Sequence, residues 1–216
     1  MIPMKRVLCY GDSNTWGYTP GTGARYAQGI RWTGVMAEQL GPEYCIIEDG
    51  ITGRTTVWDD PFDPCRNGLE GLGYGIHRAK PIDLVVLMLG TNDLNYTDAY
   101  GYYKGLNNLI RRILHADSFF AGPESVFPNG PKLLLVSPIR IHPDVASRRP
   151  EIHLAHAYAD SCCFADYTRR LSQEWNLPWL DAAAVAEPSE IDCLHMDADS
   201  HKKLGIQIAE KIRMIL

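Results

Sequence analysis

The run Asp83–Leu89 reads DLVVLML and ends at Gly90. A strand with one wet face alternates apolar and polar residues. A run that is apolar at every position, as Leu84–Leu89 is, has to be covered on both faces, as strands are inside a parallel sheet flanked by helices. Arg6–Tyr10 (RVLCY), Tyr44–Glu48 (YCIIE), Lys132–Ser137 (KLLLVS) and Trp179–Ala182 (WLDA) are the other strand candidates. Three of the five are continuous rather than alternating.

Between these runs the apolar period changes to three and four. In Ala99–Leu114 the stripe is Tyr102, Tyr103, Leu106, Leu109, Ile110, Ile113 and Leu114. Arg31–Leu40 carries Trp32, Val35, Met36 and Leu40 on one face, and a last helix from about Asp199 to Ile215 turns Leu204, Ile208 and Ile212 inward. The stretch Ile152–Trp175 is expected to be one helix, with Ile152, Ala155, Ala159, Cys163, Tyr167, Leu171 and Trp175 inward. Residues 66–78 read as a further helix, which four glycines disfavour.

This alternation predicts a three-layer α/β domain with a mainly parallel sheet. Right-handed crossovers bring the strand C-termini to one edge, where open α/β sheets bind ligands. No linker divides the chain, so residues 1–216 are expected to form a single domain. Loops at 14–30, 50–65, 119–131 and 138–150 decorate it. With 45% hydrophobic residues, a core forms without disulfides or a structural metal.

Composition narrows the function. There are 21 basic against 26 acidic residues, a formal net charge of -5, which argues against nucleic acid or an anionic membrane as the main partner. The longest strongly apolar run, Leu84–Leu89, is far short of the ~20 residues of a spanning helix. The stretch before Gly11 is too short in apolar residues for a secretory signal, so a cytoplasmic location is the expectation. The six cysteines (9, 45, 65, 162, 163 and 193) include no CxxC. Cys9 and Cys45 read as small buried hydrophobes, and none reads as catalytic.

Four short blocks carry polar residues at strand ends or before the last helix. Gly11-Asp12-Ser13 follows the first strand and either exposes a serine hydroxyl or caps a turn. Asp192-Cys193-Leu194-His195 brings a carboxylate within one turn of an imidazole. That is either a local polar contact or the orienter and base that a serine nucleophile needs. Gly90-Thr91-Asn92-Asp93 offers an amide donor at Asn92 or an Asx-turn, with Asp93 placed to brace the loop. Asp49-Gly50-Ile51-Thr52-Gly53-Arg54 offers the Gly53 backbone N–H, or is a plain turn, and Arg54 either pairs with a carboxylate or meets substrate.

Taken together, GDSNTWG (11–17), Gly53 in ITGRTT, GTND (90–93) and DCLH (192–195) resemble the blocks of the SGNH hydrolases, the GDSL-type esterases and lipases. Asn14 stands where the family usually has leucine. The resemblance implies a three-layer α/β/α, flavodoxin-like fold with five parallel strands. It implies Ser13 as nucleophile, His195 as base and Asp192 as its orienter. The oxyanion donors would be the Ser13 and Gly53 backbone N–H groups and the Asn92 side chain. No metal or organic cofactor is implied.

GDSNTWGY, GRTT and Trp58-Asp59-Asp60-Pro61 are similar to the mycobacterial arylesterase/acyltransferase branch. That likeness implies short alkyl, aryl or acetyl esters as substrates, water or an alcohol as acceptor, and a homo-oligomer. The branch normally has a small nonglycine residue at the position of Gly53. Trp16, Trp58 and Phe62 are candidates for an apolar mouth, with packing of a long loop as the alternative for Trp58, while Trp32 packs the first helix.

A carbohydrate O-acetylesterase needs the same residues and is the second reading. The different-class alternatives are a noncatalytic ligand-binding protein and a metal site. His153 with His156, and Cys193 with His195 and His201, are near one another in sequence but lack a compact ligand signature. A dinucleotide fingerprint is absent after the first strand, and there is no P-loop GK[ST].

Overall fold

The structure is a computed structural model and describes residues 4–119, 124–150 and 156–216. Five strands, β1 (Lys5–Gly11), β2 (Tyr44–Gly50), β3 (Leu84–Met88), β4 (Leu133–Ser137) and β5 (Trp179–Asp181), form one sheet in the order β2-β1-β3-β4-β5. Every pairing is parallel. The helices are α1 (Ser13–Trp16), α2 (Trp32–Leu40), α3 (Gly68–Ala79), α4 (Ala99–Leu114), α5 (Ala116–Phe119), α6 (Val145–Arg148), α7 (Ala157–Ser161), α8 (Phe164–Trp175) and α9 (Ala198–Ile215).

The central strands show why continuous apolar runs were required. Successive residues of β1, β3 and β4 point to opposite faces. Leu8, Tyr10, Val85, Leu87, Leu133 and Leu135 pack with α3, α4 and α8. Val7, Cys9, Leu84, Val86, Leu134 and Val136 pack with α2 and α9. The sheet is thus covered on both faces, giving the expected α/β/α layers. The strand order reverses between β1 and β3, and the chain leaves their C-terminal ends into the Ser13 and Asn92 blocks.

Helix α3 forms despite its glycines. Asn67 caps it, accepting from the Leu69 and Glu70 N–H groups at 3.0 and 3.3 Å. A Cβ at Gly75 would lie 2.4 Å from Asp49 Oδ2, so the missing side chain is what lets the helix lie close to the end of β2.

The expectation of one helix over Ile152–Trp175 is corrected. Residues 151–155 lie outside the described residues, and beyond them α7 and α8 are separated at Cys162-Cys163. Ala159 and Cys163, expected inward, are exposed, while Ala157, Phe164, Thr168 and Leu171 are buried. Phe164 fills the core beside Tyr102, with ring centroids 4.6 Å apart, and the break re-aims the chain to seat it. Burial of one large aromatic outweighs the small gain from continuing a helix across two cysteines. Three short helices, α1, α5 and α6, also occur at or within the segments expected as loops. Among the described residues no helix is long and apolar enough to cross a membrane.

Candidate active site

Strand β1 runs into Asp12, whose carboxylate accepts the Asn14 N–H at 2.9 Å and caps the single turn of α1. That turn lifts Ser13 off the sheet edge. Asp12 is buried, and burial pushes its carboxyl up to about 6, with the Asn14 hydrogen bond and His195 pulling the other way.

The segment before α9 supplies the facing groups. Cys193 is buried in a left-handed conformation, φ 68°, which few side chains adopt. Its N–H donates to Ser189 O at 2.9 Å and its carbonyl accepts from His142 N at 3.0 Å, so the turn is held from both sides. It brings Asp192 and His195 together. Asp192 Oδ2 is 2.8 Å from His195 Nδ1, and Oδ1 accepts the Leu194 and His195 N–H groups at 3.1 and 2.9 Å. Burial opposes ionisation of Asp192, but these hydrogen bonds outweigh it and hold its carboxyl below the usual range. With Nδ1–H directed at a carboxylate, the other nitrogen is an acceptor. His195 Nε2 lies 2.9 Å from Ser13 Oγ.

The other two blocks meet each other, and the Gly53 loop is tied to the end of β1 by Ile51 N and Arg54 on Gly11 O. Asn92, in a 3₁₀ turn after β3, donates its Nδ2 to the Arg54 carbonyl at 3.0 Å. This joins the GTND loop to the loop of Gly53. Gly53 has φ +75°, and a Cβ there would sit 2.6 Å from Arg66 Nη1, so glycine suits both the backbone and the space. Among the described residues no protein acceptor takes the Ser13 or Gly53 N–H.

Arg54 is 2% exposed and serves the scaffold. It donates to Gly11 O at 3.0 Å, to Asp49 O, and to Asp49 Oδ1 at 2.8 Å, and it lies over the Tyr10 ring at 4.0 Å. Asp93 braces the same region, accepting from Thr56 N at 2.7 Å and from Thr56 Oγ1. Burial raises Asp93 to about 7 against the pull of Thr56.

Two residues close to the relay were not singled out from the sequence. Asn14 reaches both neighbours of His195 along the chain: its Nδ2 donates to Leu194 O at 3.3 Å and its Oδ1 accepts from Met196 N at 3.0 Å. Its departure from the family's leucine was the available signal. Tyr18 stacks on the His195 ring with centroids 4.0 Å apart, and nothing in its local spacing marks it.

The remaining expectations divide. Phe62 is 95% exposed, whereas Trp16 and Trp58 are partly buried and Trp32 is fully buried. Cys9 is buried and Cys45 only partly so. His156 donates to Leu94 O at 3.1 Å, and His153 lies outside the described residues. His201 is buried on α9 and accepts the Trp32 N–H at 3.3 Å. Among the described residues no three His, Cys, Asp or Glu side chains are grouped to hold a metal ion.

Residues 9–203 match the GDSL-like Lipase/Acylhydrolase family. The native aryl esterase of M. smegmatis is 34% identical, with 98% of this chain and 100% of that one covered and a TM-score of 0.89. Est24, a carbohydrate acetylesterase from Sinorhizobium meliloti, is 32% identical over 98% of this chain and 100% of that one, with a TM-score of 0.90. A second carbohydrate acetylesterase family member from Sinorhizobium meliloti is 33% identical over 99% of each chain, with a TM-score of 0.89. No curated protein matches the chain at a significant level.

Proposed function

This chain belongs to the GDSL-like lipase/acylhydrolase family and is a carboxylic ester hydrolase, and from that premise we propose that it cleaves short-chain acyl esters through an acyl-serine at Ser13. The observation that carries the reading is the relay from Asp192 Oδ2 through His195 to Ser13 Oγ, with steps of 2.8 and 2.9 Å. His195 Nε2 takes the Ser13 proton as Oγ attacks the ester carbonyl, while Asp192 steadies the imidazolium. The tetrahedral oxyanion is stabilised by the Ser13 and Gly53 N–H groups and by Asn92. His195 then protonates the departing alcohol. Water, activated by the same imidazole, releases the acid and restores Ser13. An alcohol bound in place of water gives acyl transfer.

Alkyl, aryl and acetyl esters are the proposed substrates. The likeness to the M. smegmatis aryl esterase supports an aryl or alkyl leaving group. The likeness to the Sinorhizobium acetylesterases supports the second reading, removal of O-acetyl groups from carbohydrate. We also propose a homo-oligomer, for which the exposed Phe62 offers an apolar contact, to be tested by light scattering.

The deciding experiment is turnover of a short aryl acetate by the wild type and by Ser13→Ala. The variant should lose nearly all activity and all labelling by a fluorophosphonate while its circular dichroism is unchanged. Retained turnover rules out this nucleophile. A panel of aryl acetates, acetylated sugars, lysolipids and thioesters, with and without added alcohol, ranks the substrates.

A further inference from the structure

We propose that Tyr18 is a positioning residue for His195, stacked so that its π-face restrains the imidazole and favours the cation formed during attack. The inference rests on Ser13 and His195 acting as nucleophile and base. The two hydrogen bonds of the relay are made at ring nitrogens, to Asp192 Oδ2 and Ser13 Oγ, and so act at the edge of the imidazole. They resist sliding within the ring plane better than tilting out of it. The Tyr18 ring covers one face, with centroids 4.0 Å apart and planes at 25°.

Tyr18 is itself held in place. Its N–H donates to the Ser13 carbonyl at 3.0 Å, so the ring is referenced to the nucleophile's own backbone. Tyr18 pairs with Arg25 across a small antiparallel bridge, closed by Thr19 N to Ala24 O at 2.8 Å. Trp16 lies against Tyr18 at 6.4 Å, Arg25 lies over Trp16 at 5.4 Å, and Glu48 holds Arg25 at 3.1 Å. The result is a chain of contacts from Arg25 through Trp16, tilted at 46° to Tyr18, to the stacked pair of Tyr18 and His195.

When Ser13 Oγ bonds to the carbonyl carbon, its proton moves to Nε2 and the ring becomes an imidazolium. A cation is drawn to the electron-rich face of an aromatic ring more than a neutral imidazole is. The attraction is therefore stronger in the transition state than in the ground state, which is what raises kcat. As His195 passes the proton to the departing alcohol, the extra attraction ends.

The test is kinetic, on a short aryl acetate, with the rate of fluorophosphonate labelling as a second measure. Tyr18→Phe should keep kcat within about twofold, because it keeps the ring. Tyr18→Leu should lower kcat by between about 2- and 30-fold, the range expected for a cation over an aromatic face, with little change in KM. Phenylalanines carrying one, two and three ring fluorines at position 18 keep the shape while draining the π-face. They should lower kcat stepwise, and they remain informative if Tyr18→Leu fails to fold. A flat fluorine series, or a large loss in Tyr18→Phe, overturns the proposal. The Ser13→Ala control separates the two readings: its retained activity sinks the nucleophile, whereas an inactive Ser13→Ala with a flat series removes only the role of Tyr18.

Discussion

Asn14 spans 182 positions to Met196 with one amide, pairing the residues on either side of His195 along the chain. Asn14→Ala leaves the Met196 N–H and the Leu194 carbonyl without that partner in a buried setting, so it should destabilise the fold by about 1–3 kcal/mol. It should also loosen the His195 segment relative to Ser13, and a misplacement of about 1 Å can cost about 100-fold in rate. We expect kcat to fall by tens-fold with KM little changed; steady-state kinetics and thermal unfolding check both. Normal kcat in the Ala variant would show that the two segments are held together without this amide. Asn92→Ala should lower kcat by about 100- to 1,000-fold, as loss of an oxyanion donor does, while labelling of Ser13 by a phosphonate slows less. Equal turnover removes that role. At this scale the site was half legible. Four blocks pointed to Ser13, Asp192, His195, Gly53 and Asn92 as candidates, and the fold brings the first three into hydrogen-bond contact, whereas Asn14 and Tyr18 make their contacts across the fold, with partners 180 and 177 positions away.

Elements meet at the C-terminal edge through Arg54, which joins the end of β1 at Gly11 O to the end of β2 at Asp49 while its own carbonyl receives Asn92. Arg54→Met keeps much of the bulk but takes from the buried Asp49 carboxylate its nearer guanidinium, at 2.8 Å, and leaves the more exposed Arg78 at 3.3 Å. Breaking a buried pair from one side typically costs about 3–5 kcal/mol, so a large fall in the urea midpoint is expected. Arg54→Lys should recover little of it, because an ammonium cannot reproduce the guanidinium fork. A variant as stable as the wild type would mean that Asp49 finds another partner. The sequence left Arg54 open between scaffold and substrate, and burial to 2% exposure decided for scaffold. It also drew α7 and α8 as one helix. Periodicity weighs each residue by type alone, and only the position of Tyr102 shows why Phe164 has to turn inward.

Over the whole molecule, the α2–α9 layer encloses His201, which is fully buried and accepts the Trp32 N–H at 3.3 Å. Burial lowers its pKa from 6.5 to about 4, against the pull of Asp197. The folded state therefore binds this proton less readily than the unfolded chain. Its contribution to stability is full above about 6.5 and is lost as pH falls towards 4, amounting to about 3 kcal/mol. Asp12 and Asp93 act in the opposite sense. Raised to about 6 and 7, they favour the folded state below the unfolded carboxylate value and lose that contribution as pH rises through 6 to 7. The two effects overlap in the wild type, so the comparison has to be made against His201→Asn, whose side-chain oxygen can still accept the Trp32 N–H. The gap in unfolding free energy between wild type and variant should narrow between pH 7 and pH 4. A constant gap would mean that His201 is not held neutral by burial.

The amino-acid sequence by itself determined the layers and the sheet: runs apolar on both parities can only be satisfied between two helical layers, and that condition is local to each run. It also determined which four blocks reach one edge, because each directly follows a strand or precedes the last helix. The tertiary structure alone decided how those blocks are locked together. Asn14 on Leu194 and Met196, Tyr18 on His195, and Arg54 across two strand ends are contacts between chain-distant groups. Their geometry exists only once the sheet has brought them within a few ångströms.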